Sequence, residues 1–345
     1  MSHDVRMSDV GHGTCILVRS EDFSGLLVDC GAIRPQRYCQ VPEWIETYIP
    51  MTNICGFVIS HFHSDHYNLF PCFDSPQTLF SKVYVPDLPA SGPAQQISHA
   101  IMEFVMLASK VNFRNYRILP DIFNSLKRRP IARRKGQIIR EAESTFYVFW
   151  PDIDHRGLKK TSIIKKAREM RKKMKSFVHK YKMPTEFDAD NLVEQFFEFL
   201  TRKEGPEPTE PLERLQIKKI LCGLEKDFKD LGDHLSLAFK SYDNKEKTKF
   251  LFLGDLSSEI LNSISISRRS YTYDVIQAAH HGTRFGKSLE NLSTRYLLVS
   301  RSQQDFSNIQ PIHNGYLNRK RFAFILDTEF LGNCHIRNGK LLITR

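Results

Sequence analysis

Phe57-Val58-Ile59-Ser60-His61-Phe62-His63-Ser64-Asp65-His66 is an apolar run that ends in H-x-H-x-D-H. Three imidazoles and a carboxylate crowded together in this way suit a metal and little else. In extended chain, residues two apart point to the same side, so His61 and His63 can converge on one ion. Asp65 and His66 lie past the bend and can face a second ion beside the first. Imidazole nitrogen and carboxylate oxygen suit zinc and, less selectively, manganese or iron.

Outward from this loop, other apolar runs also end in polar ligands. Met7 to Val18 runs into Gly25-Leu26-Leu27-Val28-Asp29-Cys30-Gly31, a hairpin pattern whose second strand reaches Asp29. Phe250-Leu251-Phe252-Leu253-Gly254-Asp255 is a buried-strand pattern ending in a carboxylate that can bridge two metals. Asp274 to Ala279 is another strand, and it ends in the pair His280-His281.

H-x-H-x-D-H after a buried strand resembles the signature of the metallo-β-lactamase fold, an α/β class αββα sandwich with metal ligands at its strand ends. D-V-G-x-G near the start, Gly254-Asp255-Leu256 and D-V-x-x-x-x-H-H-G-[ST] resemble one branch of it, the hydrolase-like domain of bacterial DNA-uptake competence proteins (ComEC). Tyr296-Leu297-Leu298-Val299-Ser300 followed by His313-Asn314 also fits that branch. Phe324–Thr328 and Gly339–Ile343 look like its closing strand pair. The resemblance covers residues 5–150 and 231–345. It implies that Asp29 orients the motif histidines from behind. It also implies a first ion on His61, His63 and a third ligand, and a second on Asp65, His66 and one of the 280/281 pair, with Asp255 bridging. His280 is favoured from that pair and His281 stays open.

Two positions depart from the branch pattern. Leu235 stands where the branch has an Asn before Ser236, so His234 becomes the candidate third ligand of the first ion. The Gly-His-Pro segment reads Ile312-His313-Asn314 here, which leaves His313 as a candidate substrate-facing catalytic group.

The bulk composition fits a soluble enzyme. Hydrophobic residues make up 41% of the 345, and no apolar run approaches the ~20 residues that span a bilayer. Seven cysteines without C-x-x-C pairing read as reduced thiols of a cytoplasmic protein. The net charge of +11 is concentrated: from His155 to Lys182 there are twelve Lys/Arg against the single acid Glu169, an excess equal to that of the whole chain. Such a stretch attracts polyanions, or is simply a solvated helix face.

Residues 96–110 carry apolar positions at helical spacing, and 137–150 are β-rich up to Pro151. From 155 to 230 the pattern is helical, interrupted by Gly205-Pro206-Glu207-Pro208. The chain therefore divides into 1–151 and 231–345, two halves of the sandwich, and 152–230, a basic helical insertion near the site.

This pattern points to a hydrolase with two divalent metals, zinc first and manganese or iron as alternatives, acting through a metal-bridging hydroxide. No Gly-rich phosphate loop and no G-x-S-x-G elbow is present, which disfavours kinase and serine-hydrolase chemistry. Thr283 and Arg284 beside the histidine pair, with Arg171, Lys172, Lys173 and Lys175 on the insertion, lean towards phosphodiesters in nucleic acid. Two other readings are a metallo-hydrolase of a small ester, amide or nucleotide, and a subunit that binds nucleic acid or a partner protein. The complete ligand sets argue against the last.

Overall fold

The computed structural model describes residues 3–49, 55–92, 94–111, 113–152, 154, 161–180, 191–201, 211–242, 248–267, 270–301, 311–337 and 339–344. Its strands are β1 (Asp4–Met7), β2 (Gly13–Arg19), β3 (Gly25–Ala32), β4 (Cys55–Val58), β5 (Phe80–Pro86), β6 (Ile131–Arg133), β7 (Ile138–Glu141), β8 (Ser144–Trp150), β9 (Ala238–Ser241), β10 (Phe250–Phe252), β11 (Tyr271–Gln277), β12 (Leu292–Val299), β13 (Phe322–Asp327), β14 (Asn333–Arg337) and β15 (Lys340–Thr344). The helices are α1 (Gln40–Tyr48), α2 (Pro76–Leu79), α3 (Gln95–Lys110), α4 (Ile118–Leu126), α5 (Thr161–Lys180), α6 (Leu192–Thr201), α7 (Pro211–His234), α8 (Ser258–Ser263) and α9 (Thr328–Leu331).

The class is mixed α/β. One sheet has eight strands in the order β15-β14-β1-β2-β3-β4-β5-β6 and the other seven in the order β13-β12-β11-β10-β9-β8-β7. Alternation along each strand sorts its side chains between two cores. Ile16, Val18, Leu26, Val28, Val58 and Tyr84 of the first sheet pack against Phe146, Val148, Phe239, Phe250, Phe252 and Val275 of the second. Their neighbours Leu17, Leu27, Phe57, Val83, Leu251 and Leu297 point the other way and are buried in a larger cluster with the helices. Each fully buried aromatic in these layers contributes on the order of 2–3 kcal/mol of hydrophobic burial.

The amphipathic pattern of 96–110 is indeed a helix, yet Ile97 to Ser109 are buried all round. The reason is that α5, α6 and α7 close over α3. Met170, Met174, Phe177, Phe196, Leu200, Leu221, Leu224 and Phe228 of those helices belong to the same core as α3 and the outer face of the first sheet. Helix α7 runs through the expected 230/231 boundary to His234, so the basic segment and the C-terminal half share one element. Arg156, Lys159, Lys160, Lys182 and the Gly205–Pro208 breaker lie outside the described residues.

Two strand expectations change. Met7 to Val18 is not one strand: Met7 ends β1, Ser8–His12 intervene, and the antiparallel β2 begins at Gly13. Phe324–Thr328 and Gly339–Ile343 do not pair with each other. The first falls largely in β13, parallel to β12 in the seven-stranded sheet, and the second in β15, which pairs with β14 in the other sheet.

Candidate metal centre

Buried histidine and aspartate side chains from five segments meet where the two sheets end. After β4, the chain turns at Ser60 and places His61, His63 and His66 in the interior, with Asp65 half-buried. Gly31 of β3 lets the loop sit this close, because a Cβ there would lie 2.4 Å from the Asp65 carbonyl carbon. Gly254, with φ +52°, turns the chain after β10 to bring in Asp255. After β11, His280 (φ 47°) and His281 (φ 56°) both adopt left-handed backbone, a strain of the kind that collects at functional sites. The last turn of α7 supplies Asp233.

Asp255 is central. Its Oδ2 lies 2.9 Å from His280 Nδ1, 3.6 Å from His66 Nε2, 3.7 Å from His281 Nε2 and 3.9 Å from His61 Nε2. His61 Nε2 and His63 Nδ1 are 2.7 Å apart, and Asp233 Oδ1 is 3.9 and 3.6 Å from them. Two further sets of ligand atoms lie within 4.8 Å of one another, Asp65–His66–His281 and Asp233–Asp255–His280. With bonds of about 2.05 Å, ligands of a tetrahedral ion sit about 3.3 Å apart. The observed spacings bracket that value.

The hydrogen bonds behind the histidines decide which nitrogen faces the cluster. The Ser60 N–H donates to Asp29 Oδ1 at 2.7 Å and the Ser60 hydroxyl to Asp29 Oδ2 at 2.8 Å. That leaves Ser60 Oγ to accept from His61 Nδ1–H at 3.0 Å. His66 Nδ1–H donates to Asp29 Oδ2 at 2.9 Å, and His281 Nδ1–H to the Ser300 carbonyl at 2.9 Å. All three rings thereby turn Nε2 to within 3.9 Å of Asp255 Oδ2, and each Nδ1 has the backing that metal-binding histidines need. Buried Asp29 thus braces His66 and the Ser60 turn from behind.

Protonation follows the same geometry. Burial pushes His63 and His281 down to about 3, and His61 well below its ordinary value, so all three rings are neutral. His66 is held up against burial by the Asp29 and Asp255 carboxylates. Burial lifts Asp233 to about 6 despite the neighbouring Arg284 guanidinium. His66 Nε2, Asp233 Oδ1 and Asp255 Oδ1 are buried without a hydrogen-bond partner. Such groups are costly unless something satisfies them. A divalent cation would, and the donor set fits one.

No protein-family model and no curated protein matches the chain. The reading of the site therefore rests on its own geometry.

That geometry corrects several expectations. His234 does not join the cluster: its Nδ1–H donates to the Asp230 carbonyl at 2.6 Å, and its Nε2 lies 3.3 Å from Ser257 Oγ and 3.7 Å from Glu259. Helical rotation turns it away and turns Asp233, one residue earlier, towards His61 and His63. Of the histidine pair, His281 groups with Asp65 and His66, and the favoured His280 with Asp233 and Asp255. His313 is exposed, accepts from the Gly315 N–H at 3.0 Å and stacks on Phe285, outside the cluster.

The expected phosphate contacts change as well. The Thr283 hydroxyl donates to the His280 carbonyl at 2.7 Å and serves the turn. Arg284 is committed to Asp233 Oδ2 at 2.7 Å and to the Asp255 carbonyl at 2.8 Å, positioning both acids. Arg171 is buried, bonded to Glu103 at 2.7 and 3.0 Å and to Gln96 at 3.0 Å, so it fastens α5 to α3. Lys172, Lys173 and Lys175 are exposed, and Lys172 and Lys175 line an open groove of about 730 Å³ with Arg168, His179 and Lys180.

A separate cleft of about 680 Å³ opens onto the cluster through Asp65, Asp233, His280 and Arg284. Helix α7 lines it through Cys222, Glu225, Lys226, Lys229 and Asp230, and Gln36, Arg114 and Asn115 line it as well. Sequence reading put His234 ahead of Asp233, which it held only as a substitute, and missed this α7 wall. The signal was available as Cys222, Lys226, Lys229 and Asp233, a +4, +3, +4 stripe along one helix face.

Proposed function

We propose that the chain is a two-metal hydrolase of the metallo-β-lactamase type that cleaves phosphodiester bonds in nucleic acid. The observation that carries the reading is the convergence of two ligand groups, His61–His63–Asp233 and Asp65–His66–His281, with His61, His66 and His281 all within 3.9 Å of Asp255 Oδ2. Asp255 is the bridging group, and the mixed imidazole and carboxylate donors suit zinc, with manganese and iron admitted by the same set. Held by these residues, two such ions would lower the pKa of water and supply positive charge to the attacked group and the leaving oxygen. Asp29 holds the histidine tautomers and Arg284 holds Asp233. Supporting the fold assignment are two stacked sheets clothed by helices, and ligands at strand ends in the chain order of the competence-type branch.

Phosphodiesters are favoured over uncharged esters by the cations around the cleft, and nucleic acid by the exposed lysines of α5. Among the described residues no helix is long and apolar enough to cross a membrane. Together with the free cysteines this supports a cytoplasmic setting. A small phosphoester or nucleotide is the second reading, favoured by a cleft volume within the roughly 300–1,000 Å³ of small-molecule sites. Metal analysis combined with hydrolysis of single- and double-stranded DNA and RNA tests both. Close to two transition-metal ions per chain and chelator-sensitive nuclease activity are expected. Protein that takes up no metal on titration rejects the two-metal reading.

A further inference from the structure

We propose that Arg114, Lys226 and Lys229 form a phosphate-binding wall that seats one strand of a polynucleotide against the metal cluster. The inference rests on the phosphodiesterase reading and names the residues that recognise the substrate. It begins with the charges lining the cleft. Arg114, Lys226, Lys229 and Arg284 face Asp65, Glu225, Asp230 and Asp233, which is no net charge. Most of those acids are already engaged. Asp65 and Asp233 belong to the metal cluster, Arg284 is fixed on Asp233, and Asp230 pairs with Lys166 from α5. What remains is three cations against Glu225, which lies 3.5 Å from Arg114 and 3.4 Å from Lys229 and so holds them beside each other.

Placement along α7 supplies direction. At about 1.5 Å per residue, Lys229 and Lys226 stand about 6 and 10 Å from Asp233 along the helix axis. With about 3.4 Å of rise per nucleotide in a stacked strand, they reach phosphates roughly two and three nucleotides from the ions. Arg114 is brought beside them, within 3.5 Å of Glu225, by a strained turn. Arg114 and Asn115 both take left-handed backbone (φ 47° and 65°), flanked by Phe113 and Tyr116, whose rings stack on each other. Tyr116 is buried against Phe104 and Phe228. Such anchoring holds the backbone that carries Arg114, while its side chain stays 61% exposed to reach a phosphate. A cleft of about 680 Å³ takes a drug-sized piece of chain, enough for one strand and too small for a duplex.

The test is fluorescence anisotropy of the metal-loaded full chain with an uncleavable phosphorothioate 12-mer, measured against salt. Lys226→Gln/Lys229→Gln is compared with wild type and with Lys172→Gln/Lys175→Gln. Each single-strand phosphate contact contributes about 0.7 to the slope of log K against log salt. The α7 variant is expected to lose about 1.4 of that slope and about tenfold or more in affinity, with unchanged helical content by circular dichroism. Unchanged slope and affinity in the folded α7 variant overturn the wall. So does a loss confined to the α5 variant, or wild-type protein that prefers duplex to single strand. If metal-loaded protein hydrolyses no diester while the α7 variant still loses binding, the hydrolase reading falls and the wall stands.

Discussion

Asp233 and His234 are neighbours in the chain with unrelated surroundings, because each step along an α-helix rotates the side chain by about 100°. Asp233 faces His61 and His63, whereas His234 bonds to the Asp230 carbonyl and lies beside Ser257. Replacing Asp233 by Ala should weaken metal binding by more than the ~10–100-fold that loss of an outer supporting partner costs. Inductively coupled plasma analysis after dialysis would register that loss. His234→Ala should keep its metal and show only a loss of stability, of about 1 kcal/mol for its hydrogen bond. Metal loss in His234→Ala with full metal in Asp233→Ala would reverse the assignment. At this scale the motif histidines, Asp65, Asp255 and Asp29 were legible because strand ends and a tight loop fix their side. The choice between 233 and 234, or 280 and 281, depends on a helical phase and on two left-handed residues, and neither is written in local composition.

Helix α5 shows how a charge run can mix two roles. Met170, Met174 and Phe177 bury one face, Lys172, Lys173 and Lys175 lie on the other, and Arg171 is carried inward to a fully buried Glu103. Arg171→Ala leaves that carboxylate buried and unpaired, which should cost about 3–5 kcal/mol. Urea denaturation should show the deficit, while Lys173→Ala stays within about 0.5 kcal/mol. Equal midpoints for the two variants would mean that the pair does not hold α5 to α3. Composition announced the charge of this helix but could not say which cation is internal. That depends on Glu103 and Gln96, both more than sixty residues earlier. The terminal strands were similarly half-legible: their β character shows in Phe324–Asp327 and Leu341–Ile343, but β14, which separates them into different sheets, has no apolar run to announce it.

Across the whole molecule, acid should destabilise the fold through histidines that stay neutral only when folded. Burial, reinforced by nearby cations, pushes His99 and His335 down to about 4 from an ordinary 6.5. Above about 6.5 neither state is protonated, so these residues contribute no slope. Between about 6.5 and 4 the unfolded chain binds the extra protons and stability falls as pH falls. Below about 4 their contribution levels off. Urea midpoints at pH 7.5, 5.5 and 4 should decrease in that order, and replacing both residues by Asn should flatten the trend. A flat profile in the unmodified protein would contradict it. The two-sheet plan was readable because strand patterns and turn residues are local. The role of residues 152–230 was not, because whether helices stand apart or share a core depends on partners such as α3 that lie far away in sequence.

The meeting of Gly232 and His63 has a thermodynamic corollary. A Cβ at Gly232 would come within 2.5 Å of His63 Nε2, so the end of α7 bears directly on one candidate ligand while Asp233 is another. The same stiff rod, about 36 Å long at 1.5 Å per residue, carries Lys226 and Lys229. A polyanion that shifts this rod and an ion seated at its tip are then effectors of each other, and reciprocity fixes the exchange. If the polyanion tightens the ion tenfold, the ion must tighten the polyanion tenfold, about 1.4 kcal/mol in either direction. Scarcity of metal would accordingly be felt as weaker grip on the substrate as well as slower turnover.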